Sequence, residues 1–109
     1  MKNITTLNEL VNKYIVAHAE VLYWNGIINS VELDKETFNI LCNIYDTIDE
    51  QKAAPAAKAI ADYLYYDEDE ELHDEFMTAH EGYADVYEYA QAESSKRAEA
   101  MRKANGYDF

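Results

Sequence analysis

Three glycines and one proline leave a chain of 109 residues few places to turn. A fold of many short strands needs a turn every 8–12 residues or so, supplied largely by those two residue types. Long helices need far fewer. The sequence therefore predicts an all-α fold, a small bundle of about four helices with a long C-terminal helix. At this length it reads as a single acidic helical domain over residues 1–109. With 49% hydrophobic residues it has enough apolar side chain for a modest core. No run of about 18 apolar residues is present, so no membrane span or membrane partner is expected. One cysteine, Cys42, makes no internal disulfide. That suits a reducing, cytoplasmic compartment.

The spacing of apolar residues places the helices. Thr6 and Glu9 have the spacing of a capping box. Leu7, Leu10, Val11, Tyr14, Ile15, His18 and Leu22 follow at threes and fours, which predicts a helix from about Leu7 to Trp24 that stops at Asn25-Gly26. Residues 27–33 read as a connector. A second helix, capped by Asp34 or Ser30, buries Phe38, Leu41, Cys42, Tyr45 and Ile48, with Ile40 and Ile44 widening its apolar arc. So broad an arc predicts a central position in the bundle. The pattern breaks over residues 51–55, and Pro55 suits the first position of a third helix carrying Ile60, Tyr63 and Leu64 on one face. Leu72, Phe76, Ala79, Tyr83, Val86 and Ala90 then make a seam with 4-3-4-3-4 spacing. It predicts a long last helix reaching the basic turn at Arg97 to Lys103 and ending at Asn105-Gly106. Gly82, inside the seam, is where that helix would bend or break.

Charge is distributed unevenly. From Ala59 to Ser95 there are twelve Asp or Glu and no Lys or Arg, although the chain as a whole has nine Lys or Arg. That segment carries almost all of the net charge of -13. Asp67, Glu71, Asp74, Glu81, Asp85 and Glu88 recur with nearly the period of the apolar seam, with Thr78 in the one gap. On a continuous helix they would form an acidic stripe opposite the seam. Neighbouring carboxylates on such a stripe stand about 5–6 Å apart, comparable to the few ångströms between phosphates along a nucleic-acid strand. Single-sign charge at fixed spacing excludes direct nucleic-acid binding and suits the basic surface of a nucleic-acid-binding protein or complex. Tyr65, Tyr66, Tyr87 and Tyr89 share the segment, and exposed tyrosines beside carboxylates favour contact with Arg. A plain solvated face is the alternative. Ordinary surfaces mix both signs, because like charges at i and i+4 cost a few tenths of a kcal/mol.

Catalytic and metal-binding patterns are sparse, and neither catalytic residue nor cofactor is expected. Glu70 and His73 have the spacing of half a di-iron site, but the second copy would need a carboxylate where Met77 precedes His80. Asp67-Glu68-Asp69 lacks the glycine of a calcium loop. Cys42 and His18 fall on apolar faces, as inert core residues do. No phosphate-binding glycine loop and no glycine-flanked serine occurs. Lys96, Arg97, Arg102 and Lys103 suit the negative end of a helix dipole.

In length, Asp/Glu excess with Tyr, scarcity of Pro and Cys, and the acidic stripe from Asp67 to Glu88, the chain resembles the small acidic proteins that phages and mobile elements use against host defences, the anti-restriction DNA mimics and some anti-CRISPR proteins. The resemblance is one of composition and design over about a third of the chain, and no motif carries it. It implies a stoichiometric inhibitor, often a homodimer, acting in the host cytoplasm if phage-encoded. The alternative function is a helical adaptor or subunit held by apolar and Tyr surface around Tyr23, Trp24, Tyr65 and Tyr66.

Overall fold

The computed structural model describes residues 3–64 and 70–107. Among them the chain is nearly all helix: α1 (Ile4–Ser30), α2 (Lys35–Ile48), a π-helical turn (Asp49–Ala53), α3 (Ala54–Leu64), α4 (Glu70–Ala79) and α5 (Val86–Ala104). Because the π turn joins α2 to α3 without a break, the described residues form four continuous helical runs. The all-α class and the long C-terminal helix are as the spacing predicts.

The central helix is α1, not α2. It buries Leu7, Val11, Tyr14, Ile15, Ala17, Ala19, Val21 and Ile27, which occupy more than half its circumference. One flank meets the α2–π–α3 rod, which runs antiparallel to it: Ala17 and Val21 pack with Ala53, and the Asn3 amide donates to the Tyr63 hydroxyl at 2.9 Å. The other flank meets α5, which runs parallel to it. Tyr14 touches Tyr87 edge-on near one end, and Arg102 Nη1 donates to the Leu22 carbonyl at 3.2 Å near the other. Small residues line that second contact, with Ala90, Ser94 and Ala98 all buried on α5 and Ala19 buried on α1. The Ser94 hydroxyl is satisfied by the Ala90 carbonyl at 2.6 Å. Helix α4 lies across the end where α1 begins and closes the main core of Leu7, Val11, Ile60, Leu64, Leu72, Phe76, Val86 and Ala90.

Several boundaries move relative to the sequence reading, each for a local reason. Asn3, rather than Thr6, caps α1, its Oδ1 accepting from the Thr6 amide at 2.8 Å. The helix also runs through Asn25-Gly26 to Ser30. Gly26 serves close packing there: a Cβ on it would stand 2.8 Å from Arg102 Nη1. A missing side chain for tertiary contact looks, in sequence, like a stop signal. Asp34 does cap α2 by accepting from the Thr37 amide, and this hydrogen bond holds its carboxyl below the usual range.

Pro55 does not start a separate helix. Its ring would meet the carbonyl four residues back in a regular α-helix. The turn before it is widened instead, and the Ala54 amide bonds to the Asp49 carbonyl five residues earlier. Helix α2 is peripheral and buries none of its residues. Phe38 is 43% exposed and Ile40 53% exposed. Tyr45 and Ile48, near the centre of its apolar arc, rest against α1 and the π turn, and Leu41, Cys42 and Ile44 are partly buried. The breadth of the arc thus reflects surplus apolar surface and not a central position.

His18 stacks on Tyr14 with ring centroids 5.1 Å apart. Burial lowers its pKa from the ordinary value, and the Asp49 charge opposes that shift only in part. The fold therefore favours neutral imidazole. Its contribution to stability is complete above the ordinary histidine pKa of about 6.5 and is lost as pH falls through the lower folded value.

Two outcomes follow from this packing. Phe76→Ala, at a site 1% exposed, is expected to cost about 3–5 kcal/mol, and Ile40→Ala less than about 1 kcal/mol; urea midpoints at constant m-value measure both. Stability measured from pH 7 downward should begin to fall near pH 6.5, above the range where carboxylates titrate. In His18→Gln that part of the decline should be absent.

Candidate functional site

The acids of the predicted stripe are presented by α4, the turn after it and the start of α5. Glu71 and Asp74 are exposed on α4, Glu81 is exposed in the turn, and Asp85 and Glu88 are exposed at the head of α5. Asp67, Tyr65 and Tyr66 lie outside the described residues. The long helix predicted from the spacing is two helices, interrupted around Gly82, where the sequence allows a bend or break. The chain leaves helical geometry after Ala79 and resumes it at Val86, with Gly82 at φ +99 in between. The acidic surface is therefore angular, two helix faces joined by a turn.

The break follows from local chemistry. Asp85 is a helix N-cap whose Oδ1 accepts from the Glu88 amide at 2.8 Å. Glu88 reaches back with Oε2 to the Ala84 amide at 3.0 Å. Two stripe positions thus satisfy amides that the start of a helix leaves unbonded. The sequence has the same two residue types at the same spacing whether they cap a helix or ride on its outer face. Only the glycine three positions before Asp85 distinguishes the two readings.

The apolar seam survives on either side of the break. Leu72 and Phe76 on α4 and Val86 and Ala90 on α5 are all buried, while Ala79, next to the turn, is exposed. Aromatic rings bridge the gap. His80 packs at a tilt against both Phe76 and Tyr89, at centroid distances of 4.6 and 4.1 Å, Phe76 and Tyr89 meet edge-on at 5.4 Å, and Tyr83 meets Tyr89 edge-on at 5.4 Å. This pile holds the turn against both helices and was not visible in the spacing.

Tyr89 is part of that support, whereas Tyr87 packs against Tyr14 on α1, and both are only partly exposed. The Tyr87 hydroxyl donates to the Ala57 carbonyl on α3 at 3.0 Å. Burial raises the pKa of both phenols, with the nearby carboxylates Asp62 and Asp85 adding to the rise at Tyr87 and Glu93 at Tyr89. They stay protonated and un-ionised beneath the acidic surface, so they add no charge to it.

Among the described residues none of Glu71, Glu75, Glu81, Asp85 and Glu88 is ion-paired with Lys or Arg. Asp74 has only His73 nearby, at 3.8 Å. The first cations after the acidic segment are engaged elsewhere. Lys96 binds Glu93 at 3.2 Å, Lys103 binds Glu99 at 3.1 Å, and Arg102 reaches across to α1. Glu75, which lay off the predicted stripe, is exposed beside Asp74 and belongs to the same surface. The absence of Lys and Arg marked it in sequence; the period did not.

Among the described residues no group of three or more His, Cys, Asp or Glu is arranged to hold a metal ion, and no helix is long and apolar enough to cross a membrane. Cys42 is a partly exposed free thiol on α2, not the buried one its spacing suggested. No protein-family model, curated protein or solved structure matches the chain.

The turn makes a separable prediction about stability. A Cβ at Gly82 meets nothing within 4 Å, so Gly82→Ala is penalised only by its positive φ, about 1–2 kcal/mol. Asp85→Ala should cost about 1 kcal/mol through loss of the cap, whereas Asp85→Asn, which still accepts the hydrogen bond, should cost little. Thermal unfolding of the three variants under one buffer measures the contrast.

Proposed function

We propose that the protein is a stoichiometric, non-enzymatic inhibitor that presents the acidic surface of α4, the following turn and the head of α5 to a basic nucleic-acid-binding groove, in the manner of a DNA mimic of the anti-restriction or anti-CRISPR kind. One observation supports this reading most. Exposed carboxylates stand on a turn and the two helices it joins, over rings packed against one another, with no Lys or Arg paired to Glu71, Asp74, Glu75, Glu81, Asp85 or Glu88 among the described residues. Self-repulsion of this kind lowers stability, and a cationic partner would recover it on binding. Rigidity matters as much as charge, because side chains already ordered lose less freedom on binding. The angular shape suits a groove that bends or branches better than a straight channel.

The test is affinity capture from a lysate on the immobilised chain. Captured proteins should be nucleic-acid-binding, should be displaced by double-stranded DNA, and should release by about tenfold more at high than at low ionic strength. The isosteric variant Glu71→Gln, Asp74→Asn, Glu75→Gln, Glu81→Gln, Asp85→Asn, Glu88→Gln keeps acceptors at both capping positions. It should stay helical and capture none of these proteins. A partner held equally by this variant, and resistant to salt, would sink the proposal in favour of an adaptor with an apolar surface.

A further inference from the structure

Helix α2 leaves apolar surface uncovered, and its pattern specifies what would cover it. Lys35, Phe38, Cys42 and Tyr45 on α2 and Asp49, which caps its C-terminus, are spaced 3-4-3-4 and fall on one line. The middle of that line is apolar: Phe38 is exposed and Cys42 partly exposed, while Tyr45 is half-covered by its contact with α1 and the π turn and offers only its outer edge. Its two ends carry opposite charges, and neither Lys35 nor Asp49 is ion-paired among the described residues. A line of this kind matches itself only when one copy is turned end over end. Seven residues separate Cys42 from each end, which places each Lys35 beside the other copy's Asp49 when the two Cys42 residues meet.

We infer that α2 is a homodimer interface, formed by antiparallel pairing of the Lys35–Phe38–Cys42–Tyr45–Asp49 line with the same line of a second copy about a two-fold axis at Cys42. The pairing is isologous and closed, so it stops at two copies. It also lies on the part of the chain that self-repulsion opposes least. The first fifty-eight residues carry eight acids and five lysines, whereas the acidic segment that follows has no cation to soften contact with a twin. The shape of the monomer agrees. A compact domain of this length has a radius of gyration of about 13 Å, and this one measures 15.9 Å with extents of 50 × 25 × 19 Å. An elongated protomer with a bare helix on its side is half of a thicker bundle.

Sedimentation equilibrium at protein concentrations well above about 10 µM, where a micromolar complex forms, should give twice the 12.6 kDa chain mass. Phe38→Glu should be monomeric. Ile40→Glu, on the opposite edge of α2 and more exposed still, should remain dimeric, and circular dichroism should show both variants folded. Lys35→Asp and Asp49→Lys should each weaken association at least tenfold, and the double exchange should restore it. Mild oxidation should link two chains through Cys42. A monomeric wild type overturns the inference, and so does loss of the dimer in Ile40→Glu or a double exchange that fails to restore it.

Discussion

Everything in this protein hangs on one helix being buried along two flanks. Helix α1 is about 40 Å long at 1.5 Å per residue, and both the α2–π–α3 rod and α5 take their positions from it. The α5 contact is close because alanine and serine line it and because Gly26 admits the Arg102 side chain. On the rod side the contact is shared between an aliphatic core around Ile60 and Leu64 and a smaller cluster around Ala17, Val21 and Ala53. The acidic surface is attached to this frame through Phe76, Val86 and Ala90. Charge repulsion on that surface is tolerated because hydrophobic burial beneath it holds the helices together.

The two ends of the molecule are built differently. Where α1 begins, α4 lies over the valley between α3 and α5, and large apolar side chains fill the core. Farther along, α2 and α5 flank α1 without touching each other. Asp49, at the end of α2, acts on the rings of both Tyr14 and His18, and Gln91 on α5 acts on Tyr14. Ordered packing is thus concentrated beneath the acidic face, and the surplus apolar surface is concentrated away from it. The two features occupy different areas of the surface.

Much of the fold was legible from local signals. Helix class follows from the shortage of turn residues, the α2 cap narrows to Asp34 or Ser30, and the buried positions of α4 and α5 follow from threes and fours. What failed has a common physical cause. Gly26 and Pro55 are punctuation in a peptide, but here tertiary packing overrides the first and a π turn absorbs the second. Gly82 reads as a point of bending or breaking and is a break, but the acidic and apolar period that continues through it favours one long helix over two. The breadth of the α2 arc measured how much apolar surface the helix has, and could not say how much of it this chain covers. Carboxylate positions on the candidate surface were visible in sequence, as was the lack of cations. Their placement on two helices and a turn was not, because Asp85 and Glu88 have the same spacing in a cap as in a stripe.

The π turn has a consequence for chain length. Inward-facing residues of the rod run Tyr45, Ile48, Ala53, Ala56, Ile60 and Leu64, with spacings of 3, 5, 3, 4 and 4. The interval of five coincides with the stretch where hydrogen bonds reach five residues back. One residue fewer there would turn the interval into four and leave an unbroken helical register, at the cost of pressing the Pro55 ring against a carbonyl. Residues 49–53 therefore behave as a slip joint: they let the α2 half and the α3 half of the rod each keep its own rotational phase against α1. A change in the number of residues, which elsewhere in this rod would turn every downstream side chain away from its contacts, has at this turn somewhere to go.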